Sequence, residues 1–567
     1  MTFKLPTLFT KNSAWLETQQ SSILSAATII SVASMISALS KLFVQRALIG
    51  SFFNTPASQE ALEAFWFAFQ IPDMMFQLII LGALSAAFIP IFTSHKKKNL
   101  ERAFTMSSIM MNILLLVFII AGVFVFIFAE PLTLLRTGDQ FTPAQIEIVI
   151  NLTRIMLIAQ FFFAISNFLT GILQSFQRFV LPAIAPILYN LGILLGVFLF
   201  ADSFGIYSAG MGVVIGAFAH MMIQLPLVLK LGFRYKPTVN LQYAGIKEFF
   251  KLMPPRTLAI GASEGRKLVL GFFATSIGNL SFLMMQLGLT LMAIPIRFFG
   301  VSISQASLPF LSEESSDQDL DKFRGLVLQS LHQIAFLTFP ASVLLIILRV
   351  PIVRVVFGTG NFPWGSTIIT SWILGILAIS VTVQALVHLL IRAFYALKDT
   401  KTPLYISAGD VLLYILLSFT LLTFFPYQQP EYKVLGLAIA TSITAFVEFF
   451  LFLFLLDKKV GGFAQKAFWV PQIKMVTASF FMAVFLYLPF RIFDELIFDT
   501  SKTVELIALS ITTGTIGMSV YIYFAALLEI RELKMVTNLV YTFDKWPKSL
   551  LSIREAFLET SVEADDA

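Results

Sequence analysis

From residue 22 to residue 530 the chain is a near-continuous succession of apolar runs, most of about 20 residues or more, separated by short polar stretches. At 1.5 Å rise per residue, such a run wound as a helix matches the roughly 30 Å hydrocarbon core of a bilayer. Backbone N–H and C=O groups in lipid must be satisfied within the segment, so helices are the spanning form that runs like these allow. Fourteen runs are read, near 22–50, 61–94, 104–135, 146–177, 179–201, 207–232, 247–277, 280–313, 322–349, 365–397, 402–425, 432–457, 470–491 and 503–530. Several exceed the bilayer thickness, so tilt or kinks are expected at Pro72, Pro186, Pro255, Pro295 and Pro340. The fold class predicted is all-α, a polytopic membrane protein with 14 transmembrane helices and no separate soluble domain.

Composition agrees: of 567 residues, 57% are hydrophobic, 13% are charged and 61 are phenylalanine, with a mean hydropathy of +0.84. Cysteine is absent, which removes disulfides, thiol catalysis and cysteine metal sites from consideration. His95, His220, His332 and His388 show no metal-ligand spacing and read as structural. Nucleic-acid binding finds no support, because the net charge of +6 matters less here than where the charges fall. Assigning the termini and the even-to-odd loops to one face puts 25 basic residues there and 6 opposite. That face is expected to be cytoplasmic, with both termini on it. Residues 1–21, with Phe3, Lys4, Lys11 and Trp15, resemble an interfacial segment rather than a cleaved signal. Residues 531–567 read as a cytoplasmic tail.

A faint internal copy at an offset of about 220 residues adds architecture. Ser85-Ala86-Ala87-Phe88-Ile89-Pro90 returns as Ser304-Gln305-Ala306-Ser307-Leu308-Pro309, and Gln45-Arg46-Ala47-Leu48-Ile49-Gly50 returns as Arg266-Lys267-Leu268-Val269-Leu270-Gly271. Thr137-Gly138-Asp139-Gln140-Phe141 reappears, one residue shorter, as Thr359-Gly360-Asn361-Phe362, and Gln174 to Pro182 reappears as Arg392 to Pro403. Two related halves with ionic residues near their interface are the usual trace of a transporter whose site lies between repeats.

Those ionic residues are the candidate site. A lysine or arginine at mid-bilayer costs roughly 2.5 to 3.5 kcal/mol on insertion scales, so it persists where it meets water, a partner or a ligand. Span 1 carries Lys41 and Arg46, span 2 Glu63 and Asp73, span 7 Arg256, Glu264, Arg266 and Lys267, and span 8 Arg297. Glu264 and Lys267, three apart, share a helix face and either satisfy one another or serve a ligand. Arg266 lies roughly 200° around the helix from Glu264 and is the better ligand candidate. Lys41 and Arg46, about 140° apart, are read as lining a broad wall, with Glu63 able to anchor one of them. Arg297 follows Pro295 and is read equally as a ligand or as held by a helix end. A cationic chamber of this kind suits a phosphate or diphosphate head group.

Further motifs carry a resemblance. Glu63-Ala64-Phe65-Trp66-Phe67-Ala68-Phe69-Gln70-Ile71-Pro72-Asp73, then Gly82-Ala83-Leu84-Ser85-Ala86-Ala87-Phe88-Ile89-Pro90, resembles the second-span signature of the MurJ (MviN) lipid II flippases. Phe179 to Asn190 is similar to that family's fifth span, and Val355 to Phe362 to its loop after span 9. The resemblance implies a fold of the multidrug/oligosaccharidyl-lipid/polysaccharide exporter superfamily: two pseudo-symmetric six-helix lobes, 22–232 and 247–457, with spans 13 and 14 over 470–530 forming a groove for a lipid tail. It also implies movement of the undecaprenyl-diphosphate-linked peptidoglycan precursor from the inner to the outer leaflet of the bacterial inner membrane, by rocking of the lobes. Arg46 matches a cavity arginine of the family, Lys41 stands for an arginine and Glu63 for an aspartate. Two family arginines are replaced by Phe76 and Thr290, and a glutamate by Ala293, with Arg266 and Lys267 offered as compensating charge. Some members use a sodium site on span 11, where this chain has Tyr414 and Ser418 with Asp410 nearby. Asp410 and Glu264 are therefore candidates for ion coupling, and any metal is left open.

No cofactor is expected, although coupling to the membrane potential or to a cation stays open. The expected partners are the lipid-linked diphosphate, the bilayer and cell-wall synthesis proteins, for a chain expected to be a monomeric transporter and not an enzyme. The alternatives are an exporter of another polyprenyl-diphosphate-linked oligosaccharide or a non-transporting cell-wall scaffold. A multidrug antiporter would call for twelve spans and acidic cavities, and a glycosyltransferase for a larger extramembrane loop.

Overall fold

The computed structural model describes residues 23–534 apart from 82–87, 244, 317–319, 428, 464 and 499–501. The interfacial reading of 1–21, the tail from 535, the Ser85 to Ala87 part of the repeated motif and the side chain of Arg256 lie outside the described residues. Every regular element among those described is helical. Among the described residues eleven helices are long and apolar enough to cross a membrane, and a twelfth span forms if Trp364–Ile379 and Val381–Ala396, bent by 47°, count as one.

The expected count of fourteen is therefore not met by length and composition alone, and the two exceptions are the charge-bearing spans 2 and 7. Span 2 is interrupted: Pro56–Ala68 and Gln70–Phe76 are separate helices, followed by a π-helical turn over Gln77–Leu81. Span 7 is one helix, Ile246–Ile277, but Arg256, Glu264, Arg266 and Lys267 leave it without a sufficiently apolar window. A second π-helical segment, Ile296–Val301, follows Pro295 at the corresponding place in the other copy. Proline removes an N–H and crowds the preceding turn, and a wider turn relieves both.

Packing falls into two compact units, Met1–Ile294 with Arg349–Leu377 and Lys398–Leu451, and Pro295–Leu348 with Ala378–Leu397 and Phe452–Ala567. In the first, aromatic rings do much of the filling. Phe88 packs on Phe92 and Phe168 at centroid distances of 5.5 and 5.6 Å, and Phe104 lies 5.6 Å from Phe233. The tightest helix contact of this unit joins Val180–Phe204 to Tyr207–Met222. A Cβ added at Gly192 would lie 2.3 Å from Gly216 Cα, and one at Gly196 2.4 Å from Gly212 Cα. Interlocked pairs of glycines four apart let backbones touch, the way helices associate when lipid removes any hydrophobic gain between them. Asn190 then ties the first helix, Ile23–Phe52, to this pair by donating to Ser37 O at 3.1 Å and Ser40 Oγ at 2.7 Å.

Within the same unit the repeat is visible as a reciprocal contact. Asn361 Nδ2 donates to Gly50 O at 2.9 Å, with the Phe362 ring tilted against that of Phe53 at 5.2 Å. In the other copy Gly138 N donates to Thr275 Oγ1 at 2.8 Å, and Gln140 packs on Gly278. Each loop after the third span of one copy thus caps the end of the first span of the other. In the second unit, Leu320–Ile347 packs against Val381–Ala396 and Gln465–Leu496, and the last of these against Thr503–Leu527. Tyr521 donates to Phe336 O at 2.8 Å, and Phe481 stacks on Phe524 at 4.1 Å.

Candidate functional site

In the first unit the span-7 helix places its ionic residues on two faces, as their spacing requires. On one, Glu264 is 6% exposed and its Oε1 lies 2.7 Å from Lys267 Nζ, while the lysine side chain stays 57% exposed. Asp73, after the break in span 2, has Lys267 and Lys41 as cationic neighbours and Glu264 as an anionic one. Lys41, Asp73, Glu264 and Lys267 therefore form one electrostatic cluster drawn from spans 1, 2 and 7. Gln70 adds a tie, donating to Lys267 O at 3.2 Å.

On the opposite face Arg266 is already engaged. Its Nη1 donates to Asp410 Oδ2 at 2.8 Å, its Nη2 to Thr444 Oγ1 at 3.0 Å, and its guanidinium lies 5.0 Å from the Tyr414 ring centre. Arg266, the better ligand candidate by its sequence position, is here held by a buried carboxylate. Asp410, Tyr414 and Ser418 recur every fourth residue on Lys401–Phe424 and are all buried, so the face considered for a coupling ion is turned inward and meets Arg266. Glu448, one helical turn beyond Thr444, is a second carboxylate acting on the same guanidinium.

Arg46 is engaged too, donating from Nη1 to Val355 O at 2.7 Å. Val355 belongs to the last turn of the short helix Arg349–Phe357, where carbonyls lack intrahelical donors and a cation is favoured. Glu63 anchors neither Lys41 nor Arg46 by a hydrogen bond in the manner expected of it. Its Oε1 accepts from Phe282 N at 2.9 Å and Leu283 N at 3.3 Å, and its Oε2 from Gln145 Nε2 at 3.0 Å. Gly278, Asn279 and Leu280 take φ of 74°, 53° and 58°, and this left-handed turn starts the helix Ser281–Pro295 beside the carboxylate. The free N–H groups and positive end of that helix are what Glu63 satisfies.

Arg136, at the end of the short helix Ala129–Arg136 after the third span, is 6% exposed. It donates to Phe67 O at 3.1 Å and Gln70 Oε1 at 2.9 Å, with its guanidinium 4.2 Å from the Phe67 ring centre. It ties the end of that short helix to the break in span 2. There Pro72 has no N–H to give Ala68 O, which accepts instead from Thr153 Oγ1 at 3.3 Å. Arg297 belongs to the second unit, exposed on the π-helical segment, where it and Arg392 are the cations acting on His388. Phe76 is buried 6.1 Å from Phe163, and Thr290 accepts from Gln45 Nε2 at 3.1 Å, so neutral side chains pack where the resemblance would place arginines. Among the described residues no group of three or more His, Cys, Asp and Glu is placed to hold a metal.

A helical bundle with interrupted spans and an ionic cluster on them is the build of a multi-helix membrane transporter. Solved structures bear this out at the level of fold. "Lipid II flippase MurJ, inward closed conformation" superposes with a TM-score of 0.71 at 24% identity, covering 88% of this chain and all of that one. An inward-facing multidrug resistance MATE family transporter of the MOP superfamily superposes at 0.58 and 14% identity, covering 76% and 98%. The family described as Lipid II flippase MurJ matches residues 57–507, and the chain belongs to that family. Among curated relatives, the probable lipid II flippase MurJ of Bdellovibrio bacteriovorus is 26% identical over 515 residues, 90% of this chain and 95% of the relative. That of Thermotoga maritima is 28% identical over 491 residues, covering 85% and 93%.

Proposed function

We propose that this chain is a flippase that carries the undecaprenyl-diphosphate-linked peptidoglycan precursor, lipid II, from the inner to the outer leaflet of the bacterial cytoplasmic membrane. Family membership over 57–507 carries the reading. The diphosphate and sugar enter a polar site lined by Lys41 and Lys267, with Asp73 and Glu264 keeping both lysines charged and oriented. The polyprenyl chain stays in lipid beside the last two helices. Translocation is alternating access between two lobes, 22–232 and 247–457, with both termini in the cytoplasm, and the chain catalyses no covalent step. Arg46 and Glu63 act as holders of helix ends, and Arg266 and Asp410 as a pair whose making and breaking can accompany the change of state.

Complementation of cells depleted of their own lipid II flippase tests this. Wild type restores growth, and Lys267→Ala, at a side chain 57% exposed, abolishes rescue at unchanged protein level. Failure of the wild-type chain despite verified insertion overturns the lipid II reading. The neutral Phe76 and Thr290 favour one second reading, export of a different polyprenyl-diphosphate oligosaccharide, which that failure would support.

A further inference from the structure

The second packing unit holds a cavity of about 980 Å³ that the transport reading does not use. Its walls are the early turns of Leu320–Ile347, the start of Gln465–Leu496 and the turn that follows Thr503–Leu527. That turn is locally determined. Glu529 adopts a left-handed φ of 54°, its N–H donates to Ala526 O at 3.0 Å, and Ile530 N–H donates to Ala525 O at 2.9 Å. This paired closure ends a helix and reverses the chain, burying Ile530 and bringing Arg531 to Lys534 back against the other two helices. His332 fastens the three elements at the rear, with Nε2 3.3 Å from Phe468 O and Nδ1 3.6 Å from Glu532 Oε1.

The lining combines a set of cations with apolar residues and with Gln329 and Gln333. Lys466, Lys474, Arg531 and Lys534 stand against Glu529 and Glu532, and Glu532 already faces His332. Lys474 lies eight residues along the helix from Lys466, about 12 Å deeper. It is half-buried, and among the described residues neither the Lys474 nor the Arg531 side chain makes a hydrogen bond or ion pair. A lysine at that depth requires water or an anion to reach it. The depth is marked by Trp469, 42% exposed beside the lining residue Val470, and by Ile473, Val476 and Phe480, 60%, 50% and 63% exposed along the same helix. Tryptophan favours the level of the head groups, with an apolar outer face below it meeting acyl chains.

We propose that this cavity binds the phosphate-bearing head group of an anionic glycerophospholipid. Lys474 and Arg531 hold the phosphate, the arginine through paired N–H donors, while Leu328, Val470 and Pro471 cover the glycerol and upper acyl carbons. The side concerned is the one bearing Lys458, Lys459 and Lys466, the cytoplasmic leaflet by the basic-loop rule. This assignment is independent of which substrate is transported.

The test uses the full-length chain in detergent, without lipid II, titrated with phosphatidylglycerol or with phosphatidylcholine of the same chains and read by native mass spectrometry. One phosphatidylglycerol is retained in preference to phosphatidylcholine. Lys474→Gln weakens its retention about fivefold and Lys474→Gln/Arg531→Gln about thirtyfold, as expected at about 1 kcal/mol per cation. Lys474→Arg and the distant Lys97→Gln leave it unchanged. Equal retention of the two lipids, or wild-type retention by folded Lys474→Gln and the folded double variant, overturns the proposal. Displacement of bound lipid by millimolar inorganic phosphate also overturns it, reassigning the cavity to a soluble anion.

Discussion

Asp410 is 8% exposed and meets Arg266 at 2.8 Å, so removing the arginine strands a carboxylate away from water, a loss of about 3 kcal/mol or more. Removing Asp410 costs less, because the Arg266 side chain is 23% exposed and keeps Glu448 as a neighbour. Arg266→Gln and Asp410→Asn are each expected to lower the thermal stability and yield of the detergent-purified protein. The combined variant should recover most of that loss, and additive losses would show that the pair is not coupled. As the ligand group its sequence position suggests, Arg266 would matter to function alone; the ion pair predicts that Arg266→Ala loses protein as well. The difference is one of range. Glu264 and Lys267 are three residues apart, and helical geometry alone pairs them. Arg266 and Asp410 are separated by 144 residues, and no local pattern reports that their helices face one another. The same holds for Glu63, whose hydrogen-bond partners at Phe282 and Leu283 are 219 and 220 residues away.

Whole elements were more legible, because apolar run length and helix length are the same quantity. The runs near 104–135, 146–177 and 179–201 reappear as Leu100–Ile127, Pro143–Ser175 and Val180–Phe204. What run length could not convey was the break inside span 2, where side chains from distant helices, Arg136 on Phe67 O and Thr153 on Ala68 O, meet the interrupted backbone. Helix pairing was equally hidden until the glycines of Val180–Phe204 and Tyr207–Met222 were seen to meet. Gly196→Leu should therefore separate these helices, since even a Cβ there would lie 2.4 Å from Gly212 Cα. The expected outcome is loss of monodisperse protein on size-exclusion chromatography, with Leu195→Ala, on the exposed face, as the tolerated control.

For the whole molecule, the absence of cysteine makes sidedness directly measurable. Asp139→Cys in the loop after span 3 should react with a membrane-impermeant maleimide on intact spheroplasts, and Lys97→Cys only after permeabilisation; the reverse pattern would invert the topology. The repeat offered two related halves, and the reciprocal seating of Asn361 on Gly50 and of Gly138 on Thr275 shows how their matching loops are exchanged. By itself the sequence determined a helical membrane-spanning chain, its repeated halves and its family, because run length, composition and motif order are carried by neighbouring residues. Only the tertiary structure decided which cations are held and which remain accessible. Those outcomes depend on the rotation and contact of helices more than a hundred residues apart, where a 2.8 Å ion pair replaces solvent as the partner of a buried charge.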